Sequence, residues 1–529
     1  MNSIISNLLS NEMPIIDDAK KRIKEAYRED NRPWVVGYSG GKDSTVVVQL
    51  IFEALSDLPS EQLHKKVYII SSDTLVETPL IINSINQTLR RIQDKALDLN
   101  LPFETHKVKP VLQNSFWVNI IGKGYPTPNQ KFRWCTDRLK IDPANQFIMD
   151  KVSSFGEVIM VLGVREDESA TRGNVMRNHT VEGKTFMRHT SLSNAYVYAP
   201  IRSFTVDDVW DYLLNHPSPW GDDNHELHRL YQDSNSGECP LIVDKDIKES
   251  AGSCGNSRFG CWVCTVVTED KAITGFIQSG HDWMKPLLDF RNWLAQIRDD
   301  RSKRMKYRKH GQIYFNEVKV EDIDGIEYVL IPKKGSRRKE LVKLEEYTIL
   351  PKNELKRYIE ENNIDLSASV DQKLLFTYEE ETLEGQKVTK YAQLGLGPFT
   401  METRKEILIE LLKLQRDLKH PEDPNHALIS IEELKEIRKI WFNNGEWEDE
   451  IPSMYEDIFG ERLDWEIDQR SLFDKDQISD LELLADQFKV DIKIIKKLIS
   501  IEKDFSGYKV RRGLMDELGK ALKQDYLHL

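Results

Sequence analysis

Apolar and polar positions follow two different periods along the first half of the chain. "WVVGY" (34–38), "KVYIISSDT" (66–74), "PFETHKVKP" (102–110) and "EVIMVLGV" (157–164) are short, apolar or alternating, and bounded by polar residues, the pattern of strands. Between them, "STVVVQLIFEAL" (44–55) and "ETPLIINSINQTLRRIQDKALDLN" (77–100) have the apolar spacing of helices with one buried face. Residues 13–30 predict a further, charged helix. Strands alternating with helices predict parallel pairing, and strands this apolar fit a sheet covered on both faces. The expected fold class is α/β, a doubly wound parallel sheet.

Polar clusters fall directly after the predicted strands. "SGGKDS" follows the first, "SDT" the second and "REDESATR" the fourth. Ligands of such sheets bind at the carboxyl ends of the strands, so three separate segments converge on one crevice.

The pattern changes further on. Residues 235–268 are rich in cysteine and glycine, and 298–315 and 332–340 are basic and loop-like. Helical spacing returns in "TRKEILIELLKLQRDL" (403–418) and in "SIEELKEIRKIW" (430–441), which opens on a capping box from Ser430 to Glu433. A second box, Ser479 to Glu482, is expected to open another helix, and 484–500 has the spacing of a helix-turn-helix or of plain helix packing. The segments are therefore a helical lead-in (1–30), the α/β domain (31–235), a four-cysteine insert (236–270), a mixed region with basic patches (271–400) and a mainly helical C-terminal region (401–529).

Composition narrows the function. The 529 residues carry a net charge of -13, which excludes a simple basic nucleic-acid coat. Any contact with DNA would come from local basic patches such as 298–309 and 333–339, which are otherwise solvated loops. No run of about 18 apolar residues predicts a transmembrane helix, and the N-terminal stretch lacks a basic start followed by an apolar core. A cytoplasmic protein without membrane contact is expected.

"YSGGKDSTVVV" (38–48) raises the question of phosphate chemistry. It is not the Walker A pattern, because Gly40 and Gly41 are adjacent and Asp43 separates Lys42 from Ser44. Adjacent glycines let backbone N–H groups turn inward as an anion nest, and the following helix adds its positive end. Lys42 can neutralise phosphate, Ser39 and Ser44 can donate hydrogen bonds, and Asp43 beside a polyphosphate calls for Mg²⁺.

Cysteine is the second chemical signal. Of five cysteines, four lie close together as Cys239-x14-Cys254-x6-Cys261-x2-Cys264. Four thiolates suit tetrahedral zinc or an iron–sulfur cluster, and spacing alone does not choose between them. Phe259 and Trp262 would shield such a centre from water. Cys135 stands apart in "RWCTDRLK", between basic residues that would stabilise a thiolate; it is either a sulfur carrier at the crevice or a partly buried thiol with no redox task.

The string "SGGKDS" resembles the PP-loop of the ATP pyrophosphatase (adenine nucleotide alpha hydrolase-like) superfamily. "SSDT" (71–74), "RWCTDRLKI" (133–141), "LGVREDESATR" (162–172) and "APIRSFTVDDVWDYL" (199–213) extend the likeness to its PAPS-reductase-like branch. The resemblance implies cleavage of ATP between the α- and β-phosphates and adenylation of a substrate oxygen. It places Asp73 near the nucleotide, lines the acidic substrate or phosphates with Arg133, Arg138 and Lys140, and completes the crevice with Arg165, Glu168 and Arg172.

The whole chain resembles the DndC family of DNA phosphorothioate modification. That likeness rests on the PP-loop, "SRFGCWVCT" (257–265), "GLGPFTMETRKEIL" (395–408), "IRKIWF" (437–442) and "EIPSMYEDIFG" (450–460). It implies a 4Fe–4S cluster, with zinc as the fallback metal, and as partners DNA, a cysteine desulfurase and other Dnd proteins. It also implies a reaction in which ATP, with release of pyrophosphate, adenylates a backbone phosphate so that sulfur replaces a non-bridging oxygen. Sulfur would pass through the cluster or Cys135. The alternatives are another PP-loop sulfur-transfer or sulfonucleotide enzyme, acting on tRNA or on PAPS or APS, and a non-enzymatic iron–sulfur protein that binds nucleic acid.

Overall fold

The computed structural model describes residues 14–166, 185–189, 192–234, 260–308, 313–332, 339–362, 373–381, 387–421, 423, 426–465, 473, 475–490, 492–505 and 511–522. The chain divides into two compact units, residues 1–116 with 128–288, and residues 117–127 with 289–529.

The first unit is built on one sheet in the order β3-β2-β1-β4-β6-β5. Its strands are β1 (Trp34–Gly37), β2 (Val67–Ser72), β3 (Phe103–Val108), β4 (Val158–Val161), β5 (Met187–Arg188) and β6 (Ala195–Tyr198). All pair in parallel except β5, which is antiparallel to β6. The chain steps outward from β1 to β3, then returns to place β4 on the other side of β1. That reversal opens the sheet between β1 and β4 at their carboxyl ends, where doubly wound folds bind ligands. The predicted strands and helices of this part form within a few residues of their expected bounds, because apolar strands and one-faced helices report burial directly.

Helix α1 (Pro14–Arg28) buries Ile16, Ala19, Ile23, Ala26 and Tyr27, a three- and four-residue repeat along one face. Helix α2 (Lys42–Ser56) is buried nearly all round, and α3 (Pro79–Asp98) buries Ile81, Ile85, Leu89 and Ile92. Val35, Tyr68, Ile70, Val108, Ile148, Val152, Val158 and Ala195 pack together, joining residues of β1, β2, β3, β4 and β6 to helix α4 (Asp142–Phe155).

The second unit holds a six-stranded sheet in the order β10-β11-β12-β7-β8-β9, made of β7 (Phe315–Ile323), β8 (Ile326–Pro332), β9 (Lys339–Lys343), β10 (Thr348–Pro351), β11 (Leu374–Glu381) and β12 (Lys387–Leu394). One half of β7 pairs with β12 and the other half with β8. The sequence reading of 271–400 as a mixed, loop-like region did not anticipate this sheet. Its outer positions are filled with Glu and Lys, which mask the alternation that marks a strand.

Helices 401–417 and 431–443 form as expected, and the Ser430–Glu433 capping box is present. The Ser479–Glu482 box does not cap a helix, because the helix already runs from Lys475 to Gln487 and Ser479 lies inside it. Residues 117–127 pack within this second unit: Trp117 Nε1 donates to Leu428 O (2.7 Å), and Trp441 Nε1 donates to Ile121 O (2.8 Å). Among the described residues no helix is long and apolar enough to cross a membrane.

Candidate active site at the strand ends

The phosphate loop lies between β1 and α2. Gly40 has φ +72, the left-handed region that favours glycine, and a Cβ there would also meet Ile85 at 2.6 Å. Gly41 caps α2 with extended backbone, so the first N–H groups of the helix face outward from its end. The loop is held closed by its own hydroxyls. Ser39 N–H donates to Ser44 Oγ (3.2 Å), and Ser44 Oγ and Thr45 Oγ1 both donate to Gly41 O (2.9 and 3.0 Å).

Lys42 and Asp43 start α2, and Arg165 follows β4, so the topological switch brings them face to face. Arg165 Nε lies 2.6 Å from Asp43 Oδ1, and Lys42 Nζ lies 3.3 Å from Asp43 Oδ2. Arg165 is 1% exposed and Lys42 3%. Two buried cations thus meet one carboxylate beside the helix end, an arrangement that suits a polyphosphate. Gly163 makes this approach possible, since a Cβ there would sit 2.9 Å from the Asp43 carbonyl.

Asp73, at the end of β2, likewise faces two cations. Its carboxylate lies 3.5 Å from Lys107 Nζ and 3.6 Å from Lys109 Nζ, and it accepts from the Leu75 N–H at 3.0 Å. Leu75 is thereby held at φ +66, a conformation that a branched side chain seldom adopts.

The cysteine segment is fastened to the residues that follow. Thr78 N–H and Thr78 Oγ1 both donate to Gly260 O (3.2 and 2.7 Å), Trp262 N–H donates to Val76 O (3.0 Å), and Glu77 bridges Cys261 as a single antiparallel pair. Trp262 and Val263 are buried. Cys261 Sγ consequently lies 3.3 Å from Thr74 Oγ1, one residue from Asp73. Thr74 Oγ1 donates to Glu77 Oε1 (3.1 Å), Lys140 Nζ lies 3.3 Å from that same oxygen, and Cys261 Sγ lies 3.9 Å from it.

Electrostatics follow this crowding. Burial pushes the Cys261 thiol well above its ordinary value, with Glu77 adding to the shift and Lys140 opposing it. The Cys261 sulfur, followed by Glu77, holds the Lys140 ammonium above the usual lysine range. Burial also raises the Cys135 thiol, with Cys264 the next influence. This differs from the expectation of a thiolate stabilised by basic neighbours: Arg133 is exposed, and desolvation outweighs Lys140. Cys135 is therefore not isolated, since Cys264 is close enough to act on it. Cys135, Cys261 and Cys264 influence one another electrostatically, but among the described residues their sulfurs do not come together as one group within 4.8 Å.

Lys140 meets Glu77 here rather than an open phosphate subsite, and Arg138 lies over the Trp134 ring at 6.0 Å. Glu168, Arg172, Cys239 and Cys254 lie outside the described residues.

Four participants escaped the sequence reading. Tyr231, from helix α6 (Asn224–Asp233), accepts the Lys42 N–H at 3.1 Å and carries Lys42 Nζ over its ring at 5.3 Å. Helix α5 (Val206–Asn215) precedes α6 and starts on a Thr205–Asp208 capping box. Lys107 and Lys109 alternate along "KVKP", so period two puts both on one face, a signal that was available. Glu77 was read only as part of a helix.

With this geometry in place, the site defines an α/β domain whose strand ends can bind a phosphorylated ligand beside cysteine sulfur. Residues 33–267 match the family model for the phosphoadenosine phosphosulfate reductase domain. An adenosine 5′-phosphosulfate reductase of Staphylococcus haemolyticus is 28% identical over 210 residues, 39% of this chain and 72% of that enzyme. An uncharacterized protein of Methanocaldococcus jannaschii is 27% identical over 198 residues, 37% of this chain; the match spans only 35% of that protein's length. Among solved structures, the PAPS reductase from Candida auris in its phosphate complex aligns with TM-score 0.27 and 14% identity, over 40% of this chain and 85% of that one. The U34-tRNA thiolase NcsA from Methanococcus maripaludis, with its 4Fe–4S cluster, aligns with TM-score 0.26 and 15% identity, over 45% and 80%.

Proposed function

We propose that this chain is the ATP-consuming sulfur-transfer enzyme of DNA phosphorothioation, of the DndC kind. One observation carries the reading: Cys261 Sγ is held 3.3 Å from Thr74, beside Asp73, at the same strand ends that carry the phosphate loop. A phosphate-activating site and a sulfur site share one crevice. The adenosine 5′-phosphosulfate reductase that matches 210 residues of the chain supports sulfur chemistry beside an adenine nucleotide.

Lys42, the glycine pair and the N-terminal end of α2 hold the phosphates that leave as pyrophosphate. Arg165 faces the charge that develops on the α-phosphate, where a fixed buried donor is worth most. Asp43 is the carboxylate for Mg²⁺. An oxygen of the DNA backbone phosphate attacks the α-phosphorus, and the bond to pyrophosphate breaks. Persulfide sulfur from the desulfurase, brought to the sulfide level by two electrons from a thiol reductant that becomes a disulfide, then bonds to the DNA phosphorus, and AMP leaves with the displaced oxygen. Cys239, Cys254, Cys261 and Cys264 would hold a 4Fe–4S cluster, with Cys135 close by; when bound, its iron supplies sites for sulfur received from a cysteine desulfurase. The half-buried Cys261 and Cys264 supply two of the four thiol ligands, and Cys239 and Cys254 lie outside the described residues. DNA and the other Dnd proteins are the remaining partners of this reading.

The first test is release of pyrophosphate and AMP from ATP by the purified chain with DNA present. Robust release is expected, and Lys42→Ala should abolish it. Full release by Lys42→Ala would overturn the assignment of the loop. Reduction of adenosine 5′-phosphosulfate to sulfite by the same preparation would favour the sulfonucleotide alternative.

A further inference from the structure

Lys140 lies in the stretch 133–141 whose family resemblance points to phosphate, yet its ammonium is 3.3 Å from Glu77 Oε1, on the cysteine side of the crevice. Glu77 keeps 8% of its side chain exposed and Lys140 45%, so the carboxylate is buried and the lysine reaches it from the open side. Three groups converge on Oε1: the Thr74 hydroxyl at 3.1 Å, the Lys140 ammonium at 3.3 Å and the Cys261 sulfur at 3.9 Å. Thr74 is fully buried and lies 3.3 Å from the same sulfur.

The charges make sense only together. Once Cys261 binds a metal as a thiolate, the buried Glu77 carboxylate 3.9 Å from its sulfur is repulsive. A cation held against that carboxylate cancels the repulsion and leaves the Thr74 hydroxyl able to turn toward the sulfur. A neighbour that orients a metal ligand and sets its charge also sets the potential of the centre.

We propose that Glu77, Lys140 and Thr74 form a polar seat for the Cys261 sulfur, and that Lys140 is a positioning residue for this sulfur rather than a ligand of the nucleotide phosphates. The seat rests on the reading of the cysteines as an iron–sulfur site and goes beyond it by assigning the residues that control its electron affinity. Removing the cation should make the centre harder to reduce, because the reduced form carries more negative charge. Removing the carboxylate should do the opposite.

The full-length protein, purified without oxygen, is assayed for iron and sulfide, then titrated potentiometrically by its visible absorption. Lys140→Met is expected to move the midpoint to a more negative potential, Lys140→Arg to return it toward wild type, and Glu77→Gln to move it to a more positive one. The Michaelis constant for ATP should stay within about twofold in all three. An unmoved midpoint in Lys140→Met overturns the seat, and so does a rise in that constant by more than about tenfold, which would make Lys140 a phosphate ligand. Should Lys140→Met fail to retain a cluster, Glu77→Gln decides, with a positive shift supporting the seat and an unmoved midpoint overturning it. A wild-type protein that holds zinc instead of iron and sulfide overturns the cluster alone. The seat is then read from zinc affinity, which Lys140→Met should weaken and which, if unchanged, overturns it.

Discussion

Both units bury arginines, and they use them differently. In the first unit Arg165 faces a carboxylate, Asp43, at 2.6 Å, at the open end of the sheet. In the second unit Arg304 donates to the carbonyl oxygens of Gly397 and Leu396 and of Arg298, and Arg404 donates to those of Gly122 and Phe399. Burial lowers the pKa of both to about 10. Lys306, 4% exposed, likewise donates to the Arg301 carbonyl. A buried cation paired with a carboxylate can exchange that partner for a phosphate. A buried cation that satisfies main-chain carbonyls is a staple for a loop. The basic run at 298–309 therefore includes two residues, Arg304 and Lys306, that face inward and are not available to a DNA backbone.

The sharpest way to break this comparison is at the two kinds of cation. Lys42→Ala should lower pyrophosphate release by about 100-fold or more while leaving the unfolding midpoint in urea nearly unchanged, since it removes charge needed mainly in the transition state. Arg404→Met should do the reverse. It strips donors from two carbonyls and should cost about 3 kcal/mol of stability by urea denaturation, with pyrophosphate release per folded molecule within about twofold of wild type. If Arg404→Met removed activity without loss of stability, the distinction between staple and site would fail.

A smaller effect is expected from Arg165→Lys. The charge remains but the Nε contact with Asp43 is lost, so turnover should fall by about tenfold with little change in the Michaelis constant for ATP. An unchanged turnover would remove Arg165 from the reaction.

The smallest effect concerns pH. Burial lowers the pKa of His106, His189 and His228 in the first unit and of His426 in the second. A lowered folded pKa means that the unfolded chain binds protons first as the solution is acidified. Stability should therefore fall as pH drops below the ordinary value of 6.5 and level off once the folded pKa values are passed. Three of these histidines lie in the first unit, so hydrogen exchange should show its amides losing protection before those of the second. Equal loss in both units would contradict this.

Much of the α/β fold was legible because most of its strands are apolar runs and its helices carry an apolar face. The crevice was legible for a related reason: Lys42, Asp73 and Arg165 each follow a strand, and a parallel sheet puts strand ends together. What stayed hidden depends on tertiary contact. Nothing in "RWCTDRLK" says that burial would outweigh its basic residues at Cys135, or that Lys140 would meet Glu77. The second sheet was hidden by the charged outer faces of its strands, and Arg304 and Lys306 by the general rule that charge is exposed. The segment 117–127 reads like any apolar turn of the first unit, and only its packing on Leu428 and Trp441 reveals where it belongs.

The central claim is that phosphate activation and sulfur delivery occur in one crevice and act on DNA. It is tested most directly by mass spectrometry of nuclease-digested DNA from cells that carry the partner proteins together with this chain or its variants. Phosphorothioate dinucleotides should be present with the wild-type chain and absent with either Lys42→Ala or Cys261→Ser, each variant accumulating to wild-type levels. Phosphorothioate that persists with either variant, or that never appears with the wild-type chain, would contradict the account.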